Sequence, residues 1–149
     1  MRVEKEFEDF IKLLNKHDVR YLIVGAFAVS FHSRPRFTGD LPIFLDKYSA
    51  NIKKLLHALD DFGFKSLDLS IEDFRNDTII QLVHEPNRID LLSCISGVEF
   101  SKAFDNRAEG KYGNETVWFI SIDDLIANKK ASDRLKDRSD LELLEKFKR

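Results

Sequence analysis

Two carboxylates stand in apolar, strand-like runs, the first of them shortly after a glycine turn that opens a helix. Asp40 leads the aliphatic run Leu41-Pro42-Ile43-Phe44-Leu45, and Asp90 sits inside Arg88-Ile89-Asp90-Leu91-Leu92. Side chains two apart on a strand share a face at a separation of about 6.6 Å, which lets such a carboxylate pair grip one or two Mg²⁺ ions. The place two residues after Asp40 is held by Pro42. Ahead of this pair, residues 21–24 read as a strand apolar on both faces, stopped by Gly25, with a helix of small and apolar residues over 26–32. The first amides of a helix have no partner within it and point at whatever lies beyond. Gly25 and Ala26 are therefore candidates to seat a phosphate.

The remaining segments supply the frame. Residues 3–17 place Phe7, Phe10, Ile11, Leu13 and Leu14 at helical spacing, with Glu and Lys opposite. A second strand is expected over 41–45, after a loop at 34–39 that contains Pro35. A helix over 49–62 carries Ile52, Leu55, Leu56 and Leu59, with Gly63 as its cap and a short strand over 64–67 beyond. Residues 70–73 start a short helical turn. Residues 78–83 and 88–92 are β-rich around the turn 84–87, so they pair antiparallel and set Asp90 beside the Asp40 strand. A helix over 98–106 precedes a hairpin of 110–112 and 116–120 around Gly113-Asn114. Ser121 with Asp124 starts a helix over 123–131, and a last helix covers 139–147. No repeat or linker interrupts the 149 residues, so one domain is expected over 1–149.

The order hydrophobic strand, Gly25, helix, Thr38-Gly39-Asp40-Leu41, aliphatic strand and the later Arg88-Ile89-Asp90-Leu91-Leu92 resembles the nucleotidyltransferase superfamily that includes polymerase beta. It is most similar to small stand-alone bacterial and archaeal members, some of which belong to toxin-antitoxin pairs. Phe119-Ile120-Ser121, Asp124-Leu125, Lys129 and Arg134-Leu135-Lys136-Asp137 resemble the family's closing segment, so the likeness spans nearly the whole chain. It implies an α/β fold with a small mixed sheet and packed helices. It also implies Mg²⁺-dependent transfer of a nucleoside monophosphate from an NTP to a hydroxyl or phosphate on RNA, protein or a small molecule. On this resemblance Asp40 and Asp90 hold metal, Asp90 helps deprotonate the acceptor, and Gly25, Ala26, Arg36, Lys129 and Lys136 contact phosphates. A helical toxin or antitoxin is an implied partner.

Two departures stand out. Ala26 replaces the family's Gly or Ser, which removes a hydroxyl contact but leaves the amides. Pro42 replaces the second metal-binding Asp, so a lapsed member that binds a nucleotide or a partner is the alternative expectation. Asp46 lies four residues beyond Pro42, roughly 13 Å at about 3.3 Å per residue, too far to substitute. Proline also removes a ladder N–H, so the strand is expected to be irregular or less central than the family's.

Each candidate has a plainer reading. Gly39-Asp40 is also a turn dipeptide, and Asp90 on a strand face also reads as a partner for a cation such as Arg88. Lys129, Lys136 and the loop residues Arg34 and Arg36 also read as solvated cations. The four histidines show no metal spacing, and Cys94 reads as a small packing residue. A net charge of −2 advertises no nucleic acid by itself, a single cysteine excludes an internal disulfide framework, and no apolar run approaches the about 20 residues of a membrane span. With no signal peptide evident, a cytoplasmic, non-membrane protein is expected.

Overall fold

Phe7, Phe10, Ile11 and Leu14 all enter the core from α1 (Lys5–Lys16), the helix their three- and four-residue spacing predicts. A computed structural model of the chain describes residues 3–64, 68–132 and 134–148. After α1 come β1 (Tyr21–Ile23), α2 (Gly25–His32), β2 (Asp40–Leu45) and α3 (Ser49–Phe62). A 3₁₀ turn (Ile71–Phe74) leads to β3 (Ile79–His84), β4 (Asn87–Leu92) and α4 (Phe100–Asp105). The chain closes with β5 (Ala108–Tyr112), β6 (Glu115–Phe119), α5 (Ile122–Ser132) and α6 (Leu135–Lys148). The short strand expected over 64–67 falls on 65–67, outside the described residues.

The strands form one mixed six-stranded sheet in the order β3-β4-β2-β1-β6-β5, which agrees with the expected α/β architecture. β1 and β2 are antiparallel, so β1 ends where β2 begins. That reversal brings the start of α2 beside Asp40 and Pro42. β4 runs parallel to β2 with Asp40 opposite Arg88 and Pro42 opposite Asp90, and β3 folds back on β4 with Gln81 opposite Asp90. β4 alternates buried Asn87, Ile89 and Leu91 with half-buried Arg88, Asp90 and Leu92. One face of the sheet therefore joins the core, and the other presents the polar residues.

The expectation that β2 is irregular or peripheral is corrected. It is an interior strand, paired on both sides. Proline is accommodated because its nitrogen faces β1 at the point where β1 has ended. The Pro42 carbonyl accepts the Val24 N–H at 3.1 Å, and the Val24 carbonyl, which a strand residue at 42 would have bonded, accepts the Ala28 N–H of α2 at 3.3 Å. The Val24 carbonyl opposite Pro42 is thus not left without a donor.

Several boundaries also move. Val24 caps α2 instead of extending β1, and Gly63 ends α3 at φ +102°, a left-handed cap as expected. The helix expected over 98–106 is shortened to α4, because Ile95 and Val98 form a bridge that turns the chain first. The helix expected over 139–147 begins a turn earlier, at Leu135. Asp137 lies in that first turn and is fully buried. Ser121 caps α5 as expected, its hydroxyl accepting the Asp124 N–H at 3.1 Å. Among the described residues no helix is long and apolar enough to cross a membrane.

Candidate active site

The start of α2, the loop after it, the leading ends of β2 and β4, and the α5–α6 corner enclose a cleft of about 1150 Å³. Gly25, Ala26, Arg36, Asp40, Pro42, Arg88, Asp90 and Lys129 all line it. The structure thus brings together six of the seven sequence-predicted site residues. The side chain of the seventh, Lys136, lies outside what is described.

Gly25 has φ +62°, and a Cβ built there would lie 2.9 Å from Pro42 Cγ. The turn therefore needs glycine twice over, for its backbone and for the proline ring pressed against it. Helix geometry leaves the amides of Gly25, Ala26 and Phe27 without intrahelical acceptors, and the first two of these residues line the cleft. His32, at the other end of α2, is half-buried and bonds the Ile120 carbonyl through Nε2 at 2.7 Å. Burial lowers its pKa below the ordinary 6.5, against the opposing pull of that bond. It acts as a tie between α2 and the end of β6.

The carboxylates lie on one face of the sheet, with Asp90 deep (side chain 13% exposed) and Asp40 at the mouth (53%). Arg88 bridges them. Its Nε donates to Asp90 Oδ1 at 2.7 Å, and its Nη2 donates both to Asp90 Oδ2 at 3.0 Å and to Asp40 Oδ2 at 3.0 Å. The fork on Asp90 is bidentate, the stronger geometry for such a pair. The hydrogen bond to Asp90 is the largest of the influences that raise the Arg88 pKa above its already high ordinary value. The Arg88–Asp90 pairing was one of the plain readings of the sequence. The reach to Asp40 was not, and the signal for it was an arginine two residues from Asp90 on the same strand face.

The basic side chains are less free than their types suggest. Lys129 lines the cleft but is 4% exposed, and its ammonium contacts Asp137 at 2.9 Å and Asp140 at 3.5 Å. Arg134 reaches the same Asp137 at 3.0 Å, and Ser132 also bonds that carboxylate. Desolvation pushes the Asp137 pKa up, but the bonds from Ser132, Lys129 and Arg134 together outweigh it and hold the carboxyl far below the ordinary carboxylate range. Arg36 contacts Asp140 at 3.4 Å, which ties the loop before Asp40 to α6. Arg34 lies instead over the Phe147 ring. Sequence reasoning missed Asp137 and Asp140 as partners, although Asp137 stands eight residues after Lys129.

The structure corrects the reading of Cys94 as a packing residue. Cys94 is exposed and lines the cleft, with its pKa raised first by partial desolvation and then by Asp77. Asp46 pairs with Arg20 at 3.3 Å and bonds the Tyr48 N–H, at the far end of β2. Among the described residues no group of three or more His, Cys, Asp or Glu is arranged to hold a metal ion. Asp40 and Asp90 converge on one cation position, occupied by Arg88 Nη2, and the third place carries Pro42. This donor set does not fit a two-metal centre.

Comparison with solved structures finds likenesses to this chain. The chain is similar to the lincomycin-bound crystal structure of LnuA, a lincosamide antibiotic adenylyltransferase, over 97% of each chain, with a TM-score of 0.59 at 16% sequence identity. No family model matches the chain. No curated protein matches it either. At that identity the likeness is one of fold, and the fold is nucleotidyltransferase-like.

Proposed function

We propose that this chain binds a nucleoside triphosphate in the cleft, and that the reaction the cleft is built for is transfer of a nucleoside monophosphate to a hydroxyl or phosphate acceptor. The observation that carries the reading is the convergence of the α2 amides, Asp40 and Asp90 on one cleft in a nucleotidyltransferase-like fold. In this reading the amides at Gly25 and Ala26 hold phosphate oxygens, and Asp90 takes the proton of the acceptor hydroxyl. RNA, a protein or a small molecule is the acceptor class. LnuA, whose bound ligand is lincomycin, makes a small molecule the first class to test. A toxin-antitoxin setting with a helical partner belongs to the same proposal.

A second reading is favoured by Pro42 and Arg88. With the third carboxylate replaced and both oxygens of Asp90 held by a guanidinium, the chain is a nucleotide-binding module in which transfer has lapsed. The two are separated by incubating each α-labelled NTP and Mg²⁺ with total RNA, protein and a small-molecule acceptor panel, using the wild-type chain and Pro42→Asp in parallel. Transfer by both supports the first reading. Transfer only by Pro42→Asp, at least about 100-fold above wild type, supports the second, since a lost charge-stabilising ligand costs on the order of 10²–10³ in rate. Failure of both proteins to bind any NTP in a direct binding assay overturns both.

A further inference from the structure

The charges lining the cleft are unevenly committed. Arg36, Lys129 and Arg134 are bound to Asp137 or Asp140 on α6. Arg88 alone among these lining cations faces Asp40 and Asp90, and one of its nitrogens touches both at 3.0 Å. A divalent ion between these carboxylates needs the same space, at about 2.0–2.1 Å from each oxygen for Mg²⁺. The guanidinium and the ion therefore exclude each other by volume and by charge. Pro42, opposite Asp90 in the neighbouring strand, adds no oxygen that would tip the contest towards a metal.

We infer that Arg88 is the resident cation of this cleft: its guanidinium bridges Asp40 and Asp90, offsets one of their two charges, and keeps divalent metal ions from the pair. The arrangement is self-consistent at the residue level. Two carboxylates left without a third metal ligand have one of their two charges offset by a cation carried on the same strand as one of them, and the bidentate fork fixes that cation in place. The inference deepens the reading of the cleft given above, but its readout uses the metal alone. It can therefore fail while NTP binding and transfer succeed, and the reverse also holds.

Mn²⁺ is titrated into the full-length chain, and free Mn²⁺ is followed by electron paramagnetic resonance. The wild-type chain is expected to show no binding tighter than about millimolar, and Arg88→Gln and Arg88→Met to bind at least about ten-fold tighter, because removing the competing charge frees the carboxylates. Arg88→Lys should stay with wild type, since an ammonium keeps the charge. Asp40→Asn combined with Arg88→Gln should lose the gain. Neutral variants no tighter than wild type, or a lysine variant as tight as the neutral ones, overturn the inference. A measurement on the unaltered sequence guards against variants that fail to fold. The Arg88 Nε–H resonance of the nitrogen-15-labelled wild-type chain should hold its position as Mg²⁺ is raised to about 10 mM, and its displacement would overturn the inference equally.

Discussion

At the residue scale, the buried ion pair at the α5–α6 corner separates structural from functional cations. Lys129 and Asp137 are nearly inaccessible, at 4% and 0%. Replacing only one member leaves a charge without its partner in a poorly hydrated place. Lys129→Met is expected to lower the unfolding free energy by about 3–5 kcal/mol in urea titrations, as is Asp137→Asn, while Lys129→Met with Asp137→Leu recovers most of the loss. Had Lys129 served only phosphate, its removal would weaken nucleotide binding and leave the urea midpoint in place. His32 carries a pH prediction. Its folded pKa lies below the ordinary 6.5, chiefly through burial, so between the two values the unfolded chain binds more protons and stability falls as pH drops below 6.5. His32→Gln should flatten the urea midpoint measured from about pH 7.5 to 5. Asp137, also held low, adds its own loss only below its ordinary 3.8, where the unfolded carboxyl takes a proton that the folded one refuses.

At the element scale, the contact between α2 and β2 shapes one wall of the cleft. The turn at Gly25 combines φ +62° with a proline ring 2.9 Å from where a Cβ would lie. Gly25→Ala is expected to destabilise the chain by about 1–3 kcal/mol in thermal or urea unfolding. In a Pro42→Ala background the steric share disappears and a cost of about 1 kcal/mol from the backbone conformation remains. A double-mutant cycle reads the difference directly. Equal costs in both backgrounds would show that the ring contact carries no energy. The same contact explains why an interior strand tolerates proline, since α2 has already taken the Val24 carbonyl.

At the scale of the whole molecule, the cleft joins parts drawn from the whole length of the chain, so a ligand seated there ties α2, the β2–β4 pair and the α5–α6 corner together. A nucleotide that binds only the folded chain should stabilise it by about 2.7 kcal/mol at a hundred times its dissociation constant. For a chain of this size that corresponds to roughly 5–11 °C in the unfolding midpoint. The four common NTPs tested one by one in a thermal-shift assay, with and without Mg²⁺, would rank base preference and metal dependence together. A flat response to all four in both conditions would count against the proposed nucleotide site.

Much of this molecule was legible before any fold was seen, because it depends on near neighbours. The 3.6-residue spacing of Phe7, Phe10, Ile11 and Leu14, the two-residue alternation of Ile89 and Leu91 against Arg88 and Asp90, the cap at Gly63 and the serine cap at Ser121 are local matters of backbone geometry and burial. So was the neighbourhood of Asp40 and Asp90, since a tight turn at 84–87 leaves the 88–92 strand one antiparallel partner and a free edge. Only tertiary structure decided the states of the charges. Whether Lys129 meets solvent or Asp137, whether Cys94 packs or lines a cleft, and whether Arg88 reaches one carboxylate or two depend on which segments arrive from elsewhere in the chain. The position of β2 inside the sheet, and the helix that takes the hydrogen bond Pro42 forgoes, are likewise set by pairing across residues distant in sequence. Periodicity specifies which face of an element is apolar. The energy of a charge depends on what stands opposite that face, and that is fixed only when the sheet and helices close around the cleft.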